Sequence, residues 1–107
     1  MLRQPDSLAV LAAGIALQAG NGIRIMFFYT YVLISQKDGK LYIGWTTDMD
    51  NRLKMHNNGE VGSTKSRRPL DLIYFEACRS RVNAIAREKQ LKTGFGRAYL
   101  KRRLGKL

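Results

Sequence analysis

Positions 28–34 and 40–45 are mostly apolar, and a polar stretch at positions 35–39 separates the two runs. Aromatic and β-branched residues are frequent in both runs, which is typical of β-strands. The polar stretch contains Asp38-Gly39, a dipeptide that is favoured in hairpin turns. The pattern therefore predicts two antiparallel strands joined by a tight turn.

Two further segments have the composition and the caps of helices. Positions 46–59 offer Thr and Asp side chains as an N-cap, acidic residues in the first turn, and Gly59 at the end. Positions 80–92 begin at Ser80, another N-cap residue. With a third apolar run at positions 70–77, these segments predict an α+β fold, a small three-stranded antiparallel sheet flanked by helices.

The first 25 residues do not follow this pattern. Their apolar stretch at positions 8–17 is too short to span a membrane, and no clear signal-peptide cleavage site follows it. Met26 lies directly before the first strand and could be the true first residue. We expect residues 1–25 to be a non-core extension, a loosely packed short helix if it is native, and residues 26–107 to form one domain.

Charge gives the first indication of function. The 107 residues carry 19 Lys and Arg against 8 Asp and Glu, a formal net charge of +11, with a hydrophobic content that suits one small domain. From Arg79 onwards, Glu88 is the only acid among ten basic residues. A small chain this basic favours a polyanionic partner, with nucleic acid the first candidate. We expect a cytoplasmic protein with no membrane association.

Cysteine and histidine are too few for a zinc enzyme. Cys78 is the only cysteine, so the chain can form neither an intramolecular disulfide nor a cysteine zinc cluster. With His56 as the only histidine, a hydrolytic zinc centre would need several carboxylates beside it, and acidic residues are sparse.

Two tripeptides on the predicted hairpin resemble the signature of the GIY-YIG nuclease family. Tyr29-Thr30-Tyr31 stands where that family has Gly-Ile-Tyr, and Tyr42-Ile43-Gly44 is a literal match to the second tripeptide. The resemblance covers residues 27 to about 104. It is greatest for small stand-alone members, which are similar to the N-terminal nuclease domain of excinuclease C and end in a basic helix, here positions 97–104.

The resemblance also implies site residues on both predicted helices. Arg52 and His56 are four residues apart and project from one helix face, as the family's arginine and histidine do. Glu88 stands where the family has its acidic metal ligand, and its helical spacing from Ala84 and Leu91 turns it toward the core. The alternatives are a solvated face for the first pair and, for Glu88, a salt bridge to Arg52, Arg87 or Lys92.

By the same resemblance, each residue has an expected role in phosphodiester hydrolysis. Tyr31 or Tyr42 is the general base, and we favour Tyr31 because His56 could activate it. Arg52 clamps the scissile phosphate, and Glu88 holds one Mg²⁺ or Mn²⁺. Lysine and arginine side chains of the basic loop and the last two helices are expected to contact the nucleic acid, namely Lys65, Arg67, Arg68, Lys92 and Lys101.

The resemblance implies a metal-dependent endonuclease that cleaves DNA, in repair or in the processing of branched structures. Phosphate contacts do not distinguish sequences, so we expect DNA structure to direct binding, with the aid of a protein partner or a second copy of the chain. The alternative is a nucleic-acid-binding module with little turnover on the same fold. A third hypothesis makes Tyr29, Tyr31, Tyr42 and Trp45 a stacking platform for single strands.

Overall fold

The computed structural model describes residues 17–18 and 24–105. Two-residue strands β1 (Leu17–Gln18) and β2 (Arg24–Ile25) pair antiparallel. The remaining elements, in chain order, are β3 (Phe28–Ser35), β4 (Leu41–Thr46), α1 (Met49–Asn57), a 3₁₀ turn (Lys65–Arg67), β5 (Leu70–Cys78), α2 (Arg81–Leu91) and α3 (Gly94–Leu104). The short helix expected within residues 1–25 falls mostly outside the described residues, and the described part, residues 17–18 and 24–25, forms strands and not a helix.

The main sheet has the order β4-β3-β5, and both pairs are antiparallel. Strand β4 is therefore an edge strand, and the central strand β3 places Tyr31 opposite Gly44. The turn between them closes with Gly39 at φ 73°, and its N–H donates to the Ser35 carbonyl over 2.8 Å. The expected α+β fold with a three-stranded antiparallel sheet is confirmed.

Alternation along β3 divides the core between the two faces of the sheet. Tyr29, Tyr31 and Leu33 pack with Met49 of α1 on one face. On the other face, Thr30 donates to the carbonyl of Ala84 in α2 over 2.9 Å. That second face also holds a cluster of Val32, Ile43, Leu91 and Leu100. Helix α1 thus covers one side of the sheet, while α2 and α3 cover the other.

Polar side chains begin each helix. Asp48 accepts from the N–H of Asn51 and starts α1, so this helix is shorter than positions 46–59. Ser80 caps α2 as predicted. Thr93 caps α3, which therefore begins at Gly94 and not at position 97, since the cap offsets the low helix propensity of the glycines that follow.

One amide side chain and one hydroxyl side chain bind the segments around α1 to their neighbours. Asn57, at the end of α1, donates to and accepts from the backbone of Leu70 at 3.0 and 2.8 Å. Ser35, at the end of β3, donates to the carbonyl of Arg67 over 2.6 Å. These bonds fix α1 and the loop after it against the sheet. None of the helices within residues 24–105 has the length and apolar content needed to cross a membrane.

Candidate active site

A glycine on the edge strand makes room for a tyrosine from the central strand. A Cβ atom at Gly44 would lie 2.6 Å from Oη and 2.8 Å from Cζ of Tyr31. The Tyr31 ring therefore packs against β4 at Gly44, the one position of that strand without a side chain. The glycine of the second tripeptide thus lets the phenol approach the edge of the sheet.

The Tyr31 hydroxyl belongs to a chain of buried hydrogen bonds. It lies 2.8 Å from Nε2 of His56, whose Nδ1 lies 2.7 Å from Oγ1 of Thr64. Because Thr64 donates its own hydroxyl hydrogen to the carbonyl of Val61, Nδ1 of His56 carries the hydrogen and Nε2 accepts one from Tyr31. Nε of Arg52 in turn donates to Tyr31 Oη over 3.3 Å. Helix α1 thus brings Arg52 and His56 to the phenol together, as their spacing indicates.

Tyr42 completes the aromatic part of this cluster. Its ring centroid lies 6.2 Å from that of Tyr31 and 4.9 Å from that of His56. The antiparallel pairing of β3 and β4 thus brings the two tyrosines close together. Their exposure differs, because Tyr31 and His56 are 0% exposed whereas Tyr42 is partly accessible to solvent. Tyr42 is therefore the tyrosine of this pair that solvent can reach.

Burial sets the protonation of the buried members of the cluster. It raises the pKa of Tyr31 to about 12, against the opposing effect of the hydrogen bond from Arg52. Burial, together with the Arg52 charge, lowers the pKa of His56 to about 4. Transfer of the Tyr31 proton to His56 is therefore unfavourable in the free protein. Both groups are neutral at pH 7 in the free protein.

Glu88 lies on α2, which covers the face of the sheet opposite α1. Its orientation toward the core is as expected from the helical spacing, because Ala84 and Leu91 are buried and the Glu88 side chain is only 18% exposed. The Glu88 charge is the smallest of the causes that act on the pKa of Tyr31, and it raises that pKa, so the carboxylate is within electrostatic range of the phenol. Of the three cations considered as alternative partners, Lys92 is the one paired with it, at 2.7 Å.

The residues present fit a metal ion held jointly with a substrate. Within residues 24–105, nowhere do three or more His, Cys, Asp or Glu side chains gather as a metal site. Glu88 would thus offer an ion a single carboxylate, which fits Mg²⁺ because this ion keeps several waters and takes other ligands from phosphate. An ion at Glu88 would displace the ammonium of Lys92.

The basic residues expected to contact nucleic acid differ in their availability. Arg67 is partly buried, with Nε 3.4 Å from Asp38 and an Nη2 donating to the carbonyl of Leu41, so it holds the hairpin turn. Arg68 is exposed, and its Nε donates to the carbonyl of Lys65 over 2.8 Å. The remaining lysines of that set are exposed, namely Lys65, Lys92 and Lys101.

Thr64 is the member of the cluster that the sequence did not reveal. Thr64 stands in the basic loop, positions 63–69, where a hydroxyl is expected to face solvent and to suit phosphate contacts. Thr64 is in fact 0% exposed, and its hydroxyl fixes the tautomer of His56. A hydroxyl residue shortly after a helix that ends in histidine is too common a pattern to have indicated this contact.

The neutral, buried imidazole makes stability depend on pH. The pKa of His56 in the folded protein, about 4, lies below its usual 6.5, so the unfolded chain binds the proton more tightly. The stabilisation is complete above pH 6.5 and is lost as the pH falls toward 4, by about 3 kcal/mol in total. We expect chemical denaturation to show this loss in the native protein. The His56→Gln variant, although less stable, should show a clearly smaller loss between these pH values, and an equal loss would contradict the assignment.

Comparison with known proteins agrees with this geometry. A family model described as the GIY-YIG catalytic domain matches residues 27–103. A UPF0213 protein of Syntrophus aciditrophicus is 42% identical over 66 residues, which are 60% of this chain and 75% of that protein. A second UPF0213 protein, from Haloquadratum walsbyi, is 40% identical over 67 residues, 61% of this chain and 75% of that one.

A solved structure is also similar. The solution NMR structure of a UPF0213 protein from Bacillus halodurans is 35% identical, with a TM-score of 0.44, over 70% of this chain and 82% of that one. The names of these relatives state no activity. The family-model match covers both tripeptides, α1 and Glu88, and thus spans every residue of the cluster described above. The chain therefore belongs to the GIY-YIG nuclease superfamily, among its small stand-alone members.

Proposed function

We propose that this protein is a metal-dependent endonuclease that hydrolyses phosphodiester bonds of DNA at the edge of β4. The observation that carries the proposal is the convergence of Tyr31, Tyr42, Arg52 and His56 at one edge of the sheet, within electrostatic range of Glu88. A net charge of +11 and membership of a nuclease superfamily support a DNA substrate.

Arg52 is the phosphate clamp. Its Nε is bonded to Tyr31 Oη, which fixes the plane of the guanidinium. The two terminal nitrogens can then donate to two oxygens of the scissile phosphate, a geometry that a lysine cannot offer. Tyr31, His56 and Thr64 orient this arginine from the protein interior.

We assign the general base to Tyr42. A base must contact the attacking water, and Tyr42 is partly exposed whereas Tyr31 is buried with its pKa raised to about 12. Arg52 lies close enough for the Tyr42 hydroxyl to affect the arginine's pKa, so the guanidinium can stabilise a Tyr42 phenolate. The sequence favoured Tyr31 as the base because of His56. The exposure of Tyr42 is the reason for assigning the base to Tyr42 instead.

Glu88 would hold the metal ion. When bound, Mg²⁺ or Mn²⁺ supplies a Lewis acid that polarises the phosphate and stabilises the leaving oxygen. Glu88 offers its carboxylate from a partly exposed position. Lys92, once released from Glu88, becomes available for a phosphate oxygen.

The surface around this site suits recognition of DNA by its backbone. Lys65, Arg68 and Lys101 are exposed and carry no ion pair among the described residues. Such contacts make binding salt-dependent and independent of sequence, which suits a role on branched or damaged DNA in repair. A protein partner or a second copy of the chain would then supply further selectivity.

One observation favours the alternative of a binding module without turnover. The ion pair between Glu88 and Lys92 neutralises the only carboxylate that acts at the cluster, so a tight pair would exclude a metal ion. Stacking by the full set of four aromatic residues is not favoured, because Tyr29 and Tyr31 are 1% and 0% exposed. Cleavage assays on single-stranded, duplex and branched DNA, with Mg²⁺, Mn²⁺ or EDTA, distinguish a nuclease from a binding module.

Comparing the two tyrosines tests the assignment of the base. Tyr42→Phe should lower the cleavage rate by about 10²–10⁴-fold without loss of stability, since it removes the base and little packing. Tyr31→Phe should lower the rate by less, at most about 10²-fold through misplacement of Arg52. It should also destabilise the fold by about 1–3 kcal/mol, because Nε2 of buried His56 loses its donor.

Single-turnover kinetics and thermal unfolding of both variants provide these values. The reverse ranking of the two rates would assign the base to Tyr31.

A further inference from the structure

Phe95 is an apolar side chain that the fold leaves in solvent. It is 87% exposed in the first turn of α3, more than any other large apolar residue among residues 25–105. Burial of a phenylalanine is one of the larger favourable terms in folding. Folding buries almost none of the Phe95 side chain. Binding of a ligand therefore explains an apolar residue at this position better than folding does.

The backbone holds Phe95 firmly in this exposed position. A Cβ atom at Gly96 would lie 2.3 Å from Cα of Leu91, so the start of α3 packs directly on the end of α2. Thr93 Oγ1 donates to the carbonyl of Gln90 over 2.6 Å and accepts from the N–H of Gly96 over 3.2 Å. Phe95 is thus presented by a capped helix packed on its neighbour.

The cations on either side of Phe95 in the chain border the candidate active site. Lys92, three residues before Phe95, and Arg97, two residues after it, line a cavity of about 700 Å³ that also borders Tyr42. Lys92 is the residue bonded to Glu88. Phe95 is therefore carried in the chain between two cations that would bind phosphates flanking the scissile bond.

We propose that Phe95 inserts between bases at an unstacked point of the DNA, beside the phosphate that the site cleaves. Apolar wedges of this kind enter base steps and bend or open the duplex, and aromatic rings stack on bases of any sequence. A protein partner would require a wider apolar patch, whereas here the flanking side chains are Lys92 and Arg97. This inference rests on the proposed function and deepens it, because a wedge selects DNA whose bases are already loosened.

A binding experiment without metal tests the wedge. The probe is a duplex with one 2-aminopurine in a mismatched pair, whose fluorescence rises when the base unstacks, and the fully paired duplex and EDTA are included throughout. We expect native protein to raise the fluorescence and to prefer the mismatched duplex. Phe95→Ala should abolish the rise and weaken binding to the mismatched duplex by about tenfold, with little change for the paired one.

Two further variants separate this effect from a general loss of apolar surface. Val82→Ala removes another exposed apolar side chain, 74% accessible at the opposite end of α2, and should behave as native protein. Phe95→Trp should retain the rise. Unchanged fluorescence and preference in Phe95→Ala, or the absence of any rise with native protein, would overturn the proposal. EDTA prevents cleavage, so the result does not depend on nuclease activity.

Discussion

Replacement of Arg52 by alanine should lower the single-turnover cleavage rate by about 10²–10³-fold, the usual cost of removing one donor to a developing negative charge. Arg52 is held by Tyr31 Oη at 3.3 Å from the side of Nε, so the arginine enters the reaction already oriented. Because it is only one of several cations near the site, DNA binding should weaken far less than the rate.

The neighbouring positions of α1 offer matched controls for this prediction. Lys54, two residues further along the same helix, is exposed and pairs with Asp50 at 3.2 Å, so Lys54→Ala should retain the native rate. Arg52→Lys retains the charge but loses the planar pair of donors, and should recover only part of the activity. A native rate in Arg52→Ala would exclude the arginine as the clamp, whatever its effect on binding.

Replacement of Glu88 by glutamine should have a still larger effect on cleavage, about 10³-fold or more, because the described residues contain no cluster of three or more His, Cys, Asp or Glu that could hold the ion instead. Glutamine has nearly the shape of glutamate, and a salt bridge this exposed stabilises a fold by about 1 kcal/mol at most. The variant should therefore fold normally and bind DNA.

Metal binding gives a second measurement for Glu88. Electron paramagnetic resonance titration of Mn²⁺ in the presence of DNA should show one site in native protein and its loss in Glu88→Gln. Glu60 is an exposed glutamate after α1, so Glu60→Gln is the matched control and should retain both metal binding and cleavage. Equal Mn²⁺ binding by native and Glu88→Gln protein would remove Glu88 as the metal ligand.

Much of the fold follows from local sequence patterns. The apolar runs and the Asp38-Gly39 turn were sufficient to predict the hairpin, and Ser80 marked the start of α2, because these features act within a few residues. The start of α3 was missed by three residues, since the glycines at 94 and 96 resemble a loop. Only the packing of Gly96 against Leu91 accounts for a glycine there.

The candidate site was predicted in part, because some of its features are also local in the sequence. The spacing of Arg52 and His56 is a local property of a helix, and it correctly placed both on one face beside Tyr31. Burial of the Tyr31 hydroxyl and the bond from His56 to Thr64 depend on how α1 and its following loop pack on the sheet. No local pattern contains that packing, so the sequence favoured Tyr31 as the base.

The central claim is that this cluster cleaves DNA, and its most direct test is strand cleavage by the purified native protein beside Glu88→Gln protein prepared identically. A branched DNA labelled on one strand, incubated with Mg²⁺ or Mn²⁺, should yield a discrete product with native protein. EDTA should abolish that product, and Glu88→Gln should bind the DNA without forming it. Equal binding by both proteins with no product from either, or with equal product from both, would contradict the account.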